Sequence, residues 1–243
     1  MNAKRNDRQR KLVFVEHGGK RDGAGRKLAP GKRRSVAHRS RINAFDKPSH
    51  VTLRVADDIR SLRESKLYLV IENAIRAGKD RFGFRVIEFS VQANHLHFVV
   101  EADTRVALSR GMQGLQIRIA RAINRHLGRT GKVFPDRFHA RVLSTPTEVR
   151  NCLLYVVGNA KKHAKDRGAS WSRRAVDPYS SATWFPGWSE PIESTRLPAP
   201  PPTTEPETWL LRKGWKKLGL ISPSESPKQM AAPRRTRSRK TRR

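Results

Sequence analysis

Cysteine is nearly absent: Cys152 is the only one in 243 residues. That excludes an internal disulfide and any cysteine-rich zinc site, and it fits a reducing cytoplasmic compartment. No run approaches the roughly 20 consecutive apolar residues needed to cross a bilayer, and the basic N-terminus is not followed by the apolar stretch of a signal peptide. No membrane partner is expected. Acidic residues are scarce, 21 Asp and Glu against 52 Lys and Arg, which gives a formal net charge of +31. An imbalance of that size points to a polyanionic partner, nucleic acid ahead of an anionic membrane surface. With 36% hydrophobic residues, the chain can fill one ordinary core with tails but not two full domains.

Residues 1–47 are basic, glycine-rich and without sustained apolar periodicity, so this arm cannot bury enough surface to order itself alone. Within it, Gly23-Ala24-Gly25-Arg26-Lys27 is similar to the small-plus-arginine segments that lie in DNA minor grooves, and Arg26 and Lys27 are candidate DNA contacts; a merely solvated tail reads equally well. Patterning begins at His50, where Val51, Leu53 and Val55 alternate with polar neighbours as in a half-buried strand. Leu67, Val70, Ile71, Ala74 and Ile75 then fall at helical spacing, predicting a helix over 61–76 that stops near Gly78. Two strands follow, 82–91 and 95–101, joined by a short Gln92-Ala93-Asn94 connection.

A second helix is predicted over 106–127, with Leu108, Met112, Leu115, Ile119, Ala122 and Ile123 on one face and Arg110, Arg118, Arg121 and Arg125 elsewhere. A short strand at 138–143 leads to a third helix capped by Thr147 and running to about His163. The order β-α-β-β-α-β-α predicts an α+β domain over 48–165, ferredoxin-like, with helices on one face of an antiparallel sheet and the other face left for a ligand. Residues 166–222, rich in tryptophan and proline, are expected to wrap that domain as an extension, with a stiff linker at 198–206 and a short amphipathic segment at 208–220; 223–243 reads as a basic, disordered tail.

Chemistry is concentrated in two places. In Asn94-His95-Leu96-His97 the two imidazoles sit two residues apart on a strand and point to one face, where they can share a divalent ion, although two ligands leave such a site incomplete. By itself the pair reads first as the polar face of a sheet. On the third helix Tyr155, Asn159 and His163 follow at i, i+4 and i+8 and line one stripe. Alone, Tyr155 is an ordinary core aromatic and Asn159 an ordinary polar position. Together with the histidines they suggest a metal that polarises a phosphate, a phenol oxygen that attacks it and a nearby amide oxygen that supplies a ligand. Arg137 and Arg141, in Asp136-Arg137-Phe138-His139-Ala140-Arg141, are candidate DNA-phosphate contacts, as are Arg118, Arg121 and Arg125.

The ordered set of His-hydrophobic-His on a strand, a basic helix, Phe134-Pro135-Asp136-Arg137-Phe138-His139 and a helix bearing Tyr155 and Asn159 resembles the REP-associated tyrosine transposases, of the HUH single-strand DNA transposases, over roughly residues 50–164. Gly158-Asn159-Ala160 departs from that family's usual Asn-Pro step, and the arm and extension are long. The resemblance implies that His95 and His97 bind the metal, Mg2+ or Mn2+, and that Asn159 completes its site. It also implies that Tyr155 becomes joined to a DNA 5′-phosphate, on single-stranded, hairpin-forming DNA, in a cytoplasmic, nucleoid-associated protein that admits a homodimer. Two other functions stay open: a noncatalytic DNA- or RNA-binding protein domesticated on the same fold, and a hydrolytic metal enzyme in which Tyr155 is structural.

Overall fold

Period-2 alternation and 3.6-residue periodicity meet in a single antiparallel sheet with helices packed on it. The computed structural model describes residues 47–166, 171–195 and 199–227, with backbone only for 160–166. The basic arm, with Arg26 and Lys27, and the tail beyond 227 lie outside the described residues. The elements are β1 (Ser49–Arg54), α1 (Ser65–Arg76), β2 (Asp80–Arg81), β3 (Phe84–Val91), β4 (His95–Ala102), α2 (Arg105–His126), β5 (His139–Val142) and α3 (Pro146–Asp166). Among the described residues, no helix is long and apolar enough to cross a membrane.

The sheet runs β2-β3-β4-β1-β5, antiparallel throughout. Leaving aside the two-residue β2, this is the split β-α-β order of the ferredoxin-like arrangement, α+β as expected. The strand anticipated over 82–91 is broken, because Phe82 and Gly83 both take positive φ, 53° and 73°, and make a two-residue turn between β2 and β3. Such primed turns suit the twist of a hairpin and favour Asn-Gly; a phenylalanine in the first position is an unusual occupant. The first turn of α3 also differs from expectation. Its cap is Thr145, whose hydroxyl accepts from the Glu148 N–H at 3.1 Å, while Glu148 accepts from the Ser144 N–H at 2.7 Å, and Pro146 takes the opening position where its missing N–H costs nothing.

Alternation along the strands produces two unlike faces. One is apolar: Val51, Leu53, Phe84, Val86, Phe89, Val91, Leu96, Phe98 and Val100 bury against Leu67, Ile71 and Ile75 of α1 and Met112, Leu115, Ile119 and Ile123 of α2. Helix α2 can approach the sheet closely because residue 111 is glycine; a Cβ there would collide with the ring of Phe84. The second face is not left bare. Val99 and Ile87 bury with Leu143, Val149, Leu153, Val156 and Val157 around α3, and with Val176, Phe185, Leu211, Trp215 and Ile221 of the extension.

The extension is fixed to the domain at three places, the segment before α1, β4 and the turn after α1. Asp177 receives both Nη atoms of Arg63 at 2.7 and 2.9 Å, and Arg63 also lies 4.5 Å from the Tyr179 ring centroid. Buried Glu101 accepts the backbone N–H groups of Glu207 and Thr208 and the Thr208 hydroxyl at 2.6–2.9 Å. Residues 200–204, anticipated as a stiff linker, form a strap instead: Lys79 donates to the carbonyls of Pro201 and Thr203, and the Thr204 N–H to that of Val86. A proline-rich segment can do this because its carbonyls remain free to accept.

Candidate active site

The cross-strand register assembles a row that no single segment reveals. His97 of β4 lies opposite Ser90 of β3 and Thr52 of β1, and Thr52 opposite His139 of β5; His50 lies opposite Val99 and Arg141. Directly paired residues of antiparallel strands share a face, so these side chains stand on the second face, beneath α3. His97 is buried, His95 and His50 partly so. The two rings of the His95-Leu96-His97 motif stand edge-on, 4.6 Å between centroids.

Tyr155 reaches this row from α3. Its hydroxyl lies 3.3 Å from Nε2 of His97, and its ring stands edge-on to His97 and His50 at 5.0 and 5.8 Å. One turn later Asn159 is 1% exposed, and neither polar atom of its amide has a hydrogen-bond partner among the described residues. A buried amide left unpaired costs about 1–3 kcal/mol, and such a group in a native fold calls for a ligand, ion or water. Among the described residues no three His, Cys, Asp or Glu side chains are grouped to hold a metal ion, so a cation near the histidine pair needs a donor of another type. The Asn159 amide oxygen is of that type. Oxygen and imidazole nitrogen together suit a borderline or hard divalent ion. The side chain of His163, in line with Tyr155 and Asn159 in the sequence, lies outside the described residues.

Burial keeps His50 and the Tyr155 phenol uncharged at rest. Burial, then the neighbouring His139 and Arg141, hold His50 down to about 4, so its imidazole is uncharged at neutral pH. Burial, then Cys152, raises the Tyr155 phenol, and burial pushes the Cys152 thiol up to about 12. Deprotonating the phenol therefore needs help from a base or a cation. Arg141, exposed on β5, is paired with Glu148 at 2.6 Å. Glu148 itself is held below the usual carboxylate range, first by the Ser144 N–H.

Of the residues anticipated from the sequence, the fold groups His95, His97 and Tyr155, and sets Arg141 beside them across from His50. Arg137 is exposed in the segment before β5. Arg118, Arg121 and Arg125 are not brought to this site: α2 packs on the opposite face, with Arg121 and Arg125 exposed and Arg118 half-buried. His50, Thr52 and Asn94 escaped the sequence reading. The alternation of β1 placed His50 and Thr52 on its polar face, but only the register sets them against His97.

Residues 48–156 match the family model described as IS200-like transposase. The domain belongs to this family. No curated protein matches the chain. Among solved structures, the transposase domain is similar to a REP-associated tyrosine transposase bound to a REP hairpin, at 14% identity and a TM-score of 0.47, over 61% of this chain and 84% of that one. It is also similar to a protein from Deinococcus radiodurans R1 described as a transposase, at 11% identity and a TM-score of 0.35, over 57% of this chain and all of that one.

Proposed function

We propose that this transposase nicks and joins single-stranded, hairpin-forming DNA through a covalent link between Tyr155 and a DNA 5′-phosphate, acting on DNA in the cytoplasm at the nucleoid. The observation that carries this reading is the approach of the Tyr155 hydroxyl to the His95/His97 pair, 3.3 Å from His97 Nε2. In the reaction the Tyr155 oxygen forms a bond to phosphorus and the bond from phosphorus to the 3′ oxygen breaks. The phenol proton is lost, and the departing 3′ oxygen ends as a hydroxyl. One phosphodiester replaces another, so no nucleotide need be hydrolysed, and the reverse attack by a 3′-hydroxyl rejoins the strand.

His95, His97 and Asn159 are the residues that would hold a divalent cation, Mg2+ or Mn2+, and the unpartnered amide of Asn159 fits that role. When bound, such an ion polarises the phosphate and draws charge from the attacking and departing oxygens. Arg137 and Arg141 would meet neighbouring phosphates. The far face offers a second DNA-binding surface. Phe82, at the tip of the β2–β3 hairpin, is 93% exposed with positive φ. It borders a cleft of about 590 Å3 that Arg81, Arg110 and Arg118 also line. An exposed aromatic ring amid arginines suits an unpaired base and its backbone.

The test is incubation of end-labelled single-stranded DNA from the flanks of the gene with Mn2+, with Mg2+ or with chelator. Denaturation-resistant protein–DNA adducts are expected with metal, and are expected to be lost in Tyr155→Phe and His95→Ala. Binding to varied hairpins without adduct or cleavage in the wild type would instead support the noncatalytic DNA-binding protein.

A further inference from the structure

Neutral imidazole carries one N–H and one lone pair, so a histidine can ligate through Nε2 only if its proton sits on Nδ1. Nδ1 of His95 lies 2.8 Å from Oδ1 of Asn94, an atom that only accepts. That hydrogen bond puts the proton on Nδ1 and the lone pair on Nε2. Nδ1 of His97 faces two groups able to accept, Thr52 Oγ1 at 3.2 Å and His50 Nε2 at 3.3 Å, while Nε2 faces the Tyr155 hydroxyl. With the proton on Nδ1, the Tyr155 hydroxyl donates to Nε2, and both histidines of the motif present the same nitrogen as a lone pair.

We propose that Asn94 and the Thr52–His50 pair are positioning residues that hold the His95 and His97 protons on Nδ1 and so aim both Nε2 atoms at one divalent cation. The three residues come from two places, the turn before β4 and the half-buried polar side of β1, and each touches a histidine rather than the cation. His50 adds more than an acceptor. Its ring stacks on His97, 5.2 Å between centroids and 30° between planes, which restrains the His97 ring against rotation. The hydrogen-bonding partners of a ligating imidazole set its tautomer and raise its basicity, and losing one typically costs about 10–100-fold in metal affinity.

This inference rests on the metal site proposed above, and its test is arranged to fail separately. The full chain, labelled with 15N-histidine and freed of metal with chelator, is examined by long-range 1H–15N correlation spectroscopy, with His95→Gln and His97→Gln assigning the signals. Both rings are expected to be protonated at Nδ1. Mn2+ binding without DNA, followed by the electron paramagnetic resonance of free Mn2+, should weaken about 10–100-fold in Asn94→Ala and in the double variant Thr52→Val/His50→Phe. Thr52→Ser, which keeps the oxygen, should bind like wild type. Circular dichroism and thermal unfolding identify which variants are folded. An Nε2 proton on either wild-type ring, or unchanged Mn2+ affinity in folded variants, overturns the inference. If adducts form while the tautomers are wrong, the inference alone fails. If the tautomers and Mn2+ binding are as expected but no adduct ever forms, the nicking reaction fails and the positioning role stands.

Discussion

The two faces of the sheet are built from the same strands and serve opposite ends. The face under α1 and α2 is apolar along β1, β3 and β4, and its side chains there are almost all less than a tenth exposed. The face under α3 mixes apolar patches with His50, Thr52, His97, Glu88 and Glu101, each held by a partner from another element. One face therefore supplies stability through area removed from water, and the other gives part of its area to polar groups whose geometry matters more than their burial. Substitutions on the first should unfold the protein; substitutions on the second should leave a folded protein that has lost a function.

The sharpest separation is expected from Tyr155→Phe. It removes one oxygen on the polar face and should lower adduct formation about a thousandfold or more, while unfolding and DNA affinity stay near wild type; normal adduct yield in this variant would break the comparison. Phe98, fully buried on the apolar face, gives the opposite outcome. Phe98→Ala should cost about 3–5 kcal/mol in chemical denaturation. The extension blurs the contrast, because it is also joined to the segment before α1 by an ion pair between Asp177, 2% exposed, and Arg63, 24% exposed. Asp177→Ala should cost about 2 kcal/mol, less than the ~3–5 kcal/mol of a fully buried pair because Arg63 keeps some solvent. Unchanged stability would mean that the extension is an appendage and not part of the core.

A pH-dependent effect is expected at Glu88. Burial raises its carboxyl from 4.5 to about 8 even though Ser181 donates to it. Ser181 has one proton, a Phe89 carbonyl beside it at 3.0 Å and a Phe89 N–H to accept from; a protonated Glu88 that donates to Ser181 lets every one of these groups pair. The unfolded chain loses the Glu88 proton near 4.5 and the folded chain holds it to about 8. The stabilisation is thus complete below the lower value and is lost as pH rises through the upper one. Thermal unfolding of wild type and Glu88→Gln from pH 5 to pH 9 should show the difference between them drifting in favour of the variant as pH rises. The smallest effect concerns binding. Arg137→Ala with Arg141→Ala should reduce the slope of log affinity against log salt by about 0.7 for each DNA phosphate that is no longer neutralised, and an unchanged slope would remove these arginines from the DNA surface.

Much of the apolar face was legible in advance, because burial on one side of a strand or helix leaves a period in the sequence. Val51 and Leu53, then Leu67, Ile71 and Ile75, then Met112, Leu115, Ile119 and Ile123 are recognisable by spacing alone. The Phe82-Gly83 turn was not, since its φ values suit Asn-Gly and a phenylalanine there reads as strand. Nor was the cap at Thr145, two residues before the threonine expected to serve, because Pro146 and Glu148 fit either start. The strap of residues 200–204 was hidden for another reason: its hydrogen bonds are to Lys79 and Val86, more than a hundred positions away.

By itself the sequence determined the charge that selects a polyanionic partner, the element order, the apolar face, and the candidate pair His95 and His97 with Tyr155 and Asn159, since each follows from composition or from a period within one segment. Only the tertiary structure decided which of these side chains meet. The antiparallel register set Thr52 and His50 against His97, the packing of α3 brought the Tyr155 hydroxyl to Nε2, and the burial of Asn159 left its amide without a partner among the described residues. These are relations between strands and helices far apart in the chain, fixed by the closing of a common core, and no local pattern encodes them.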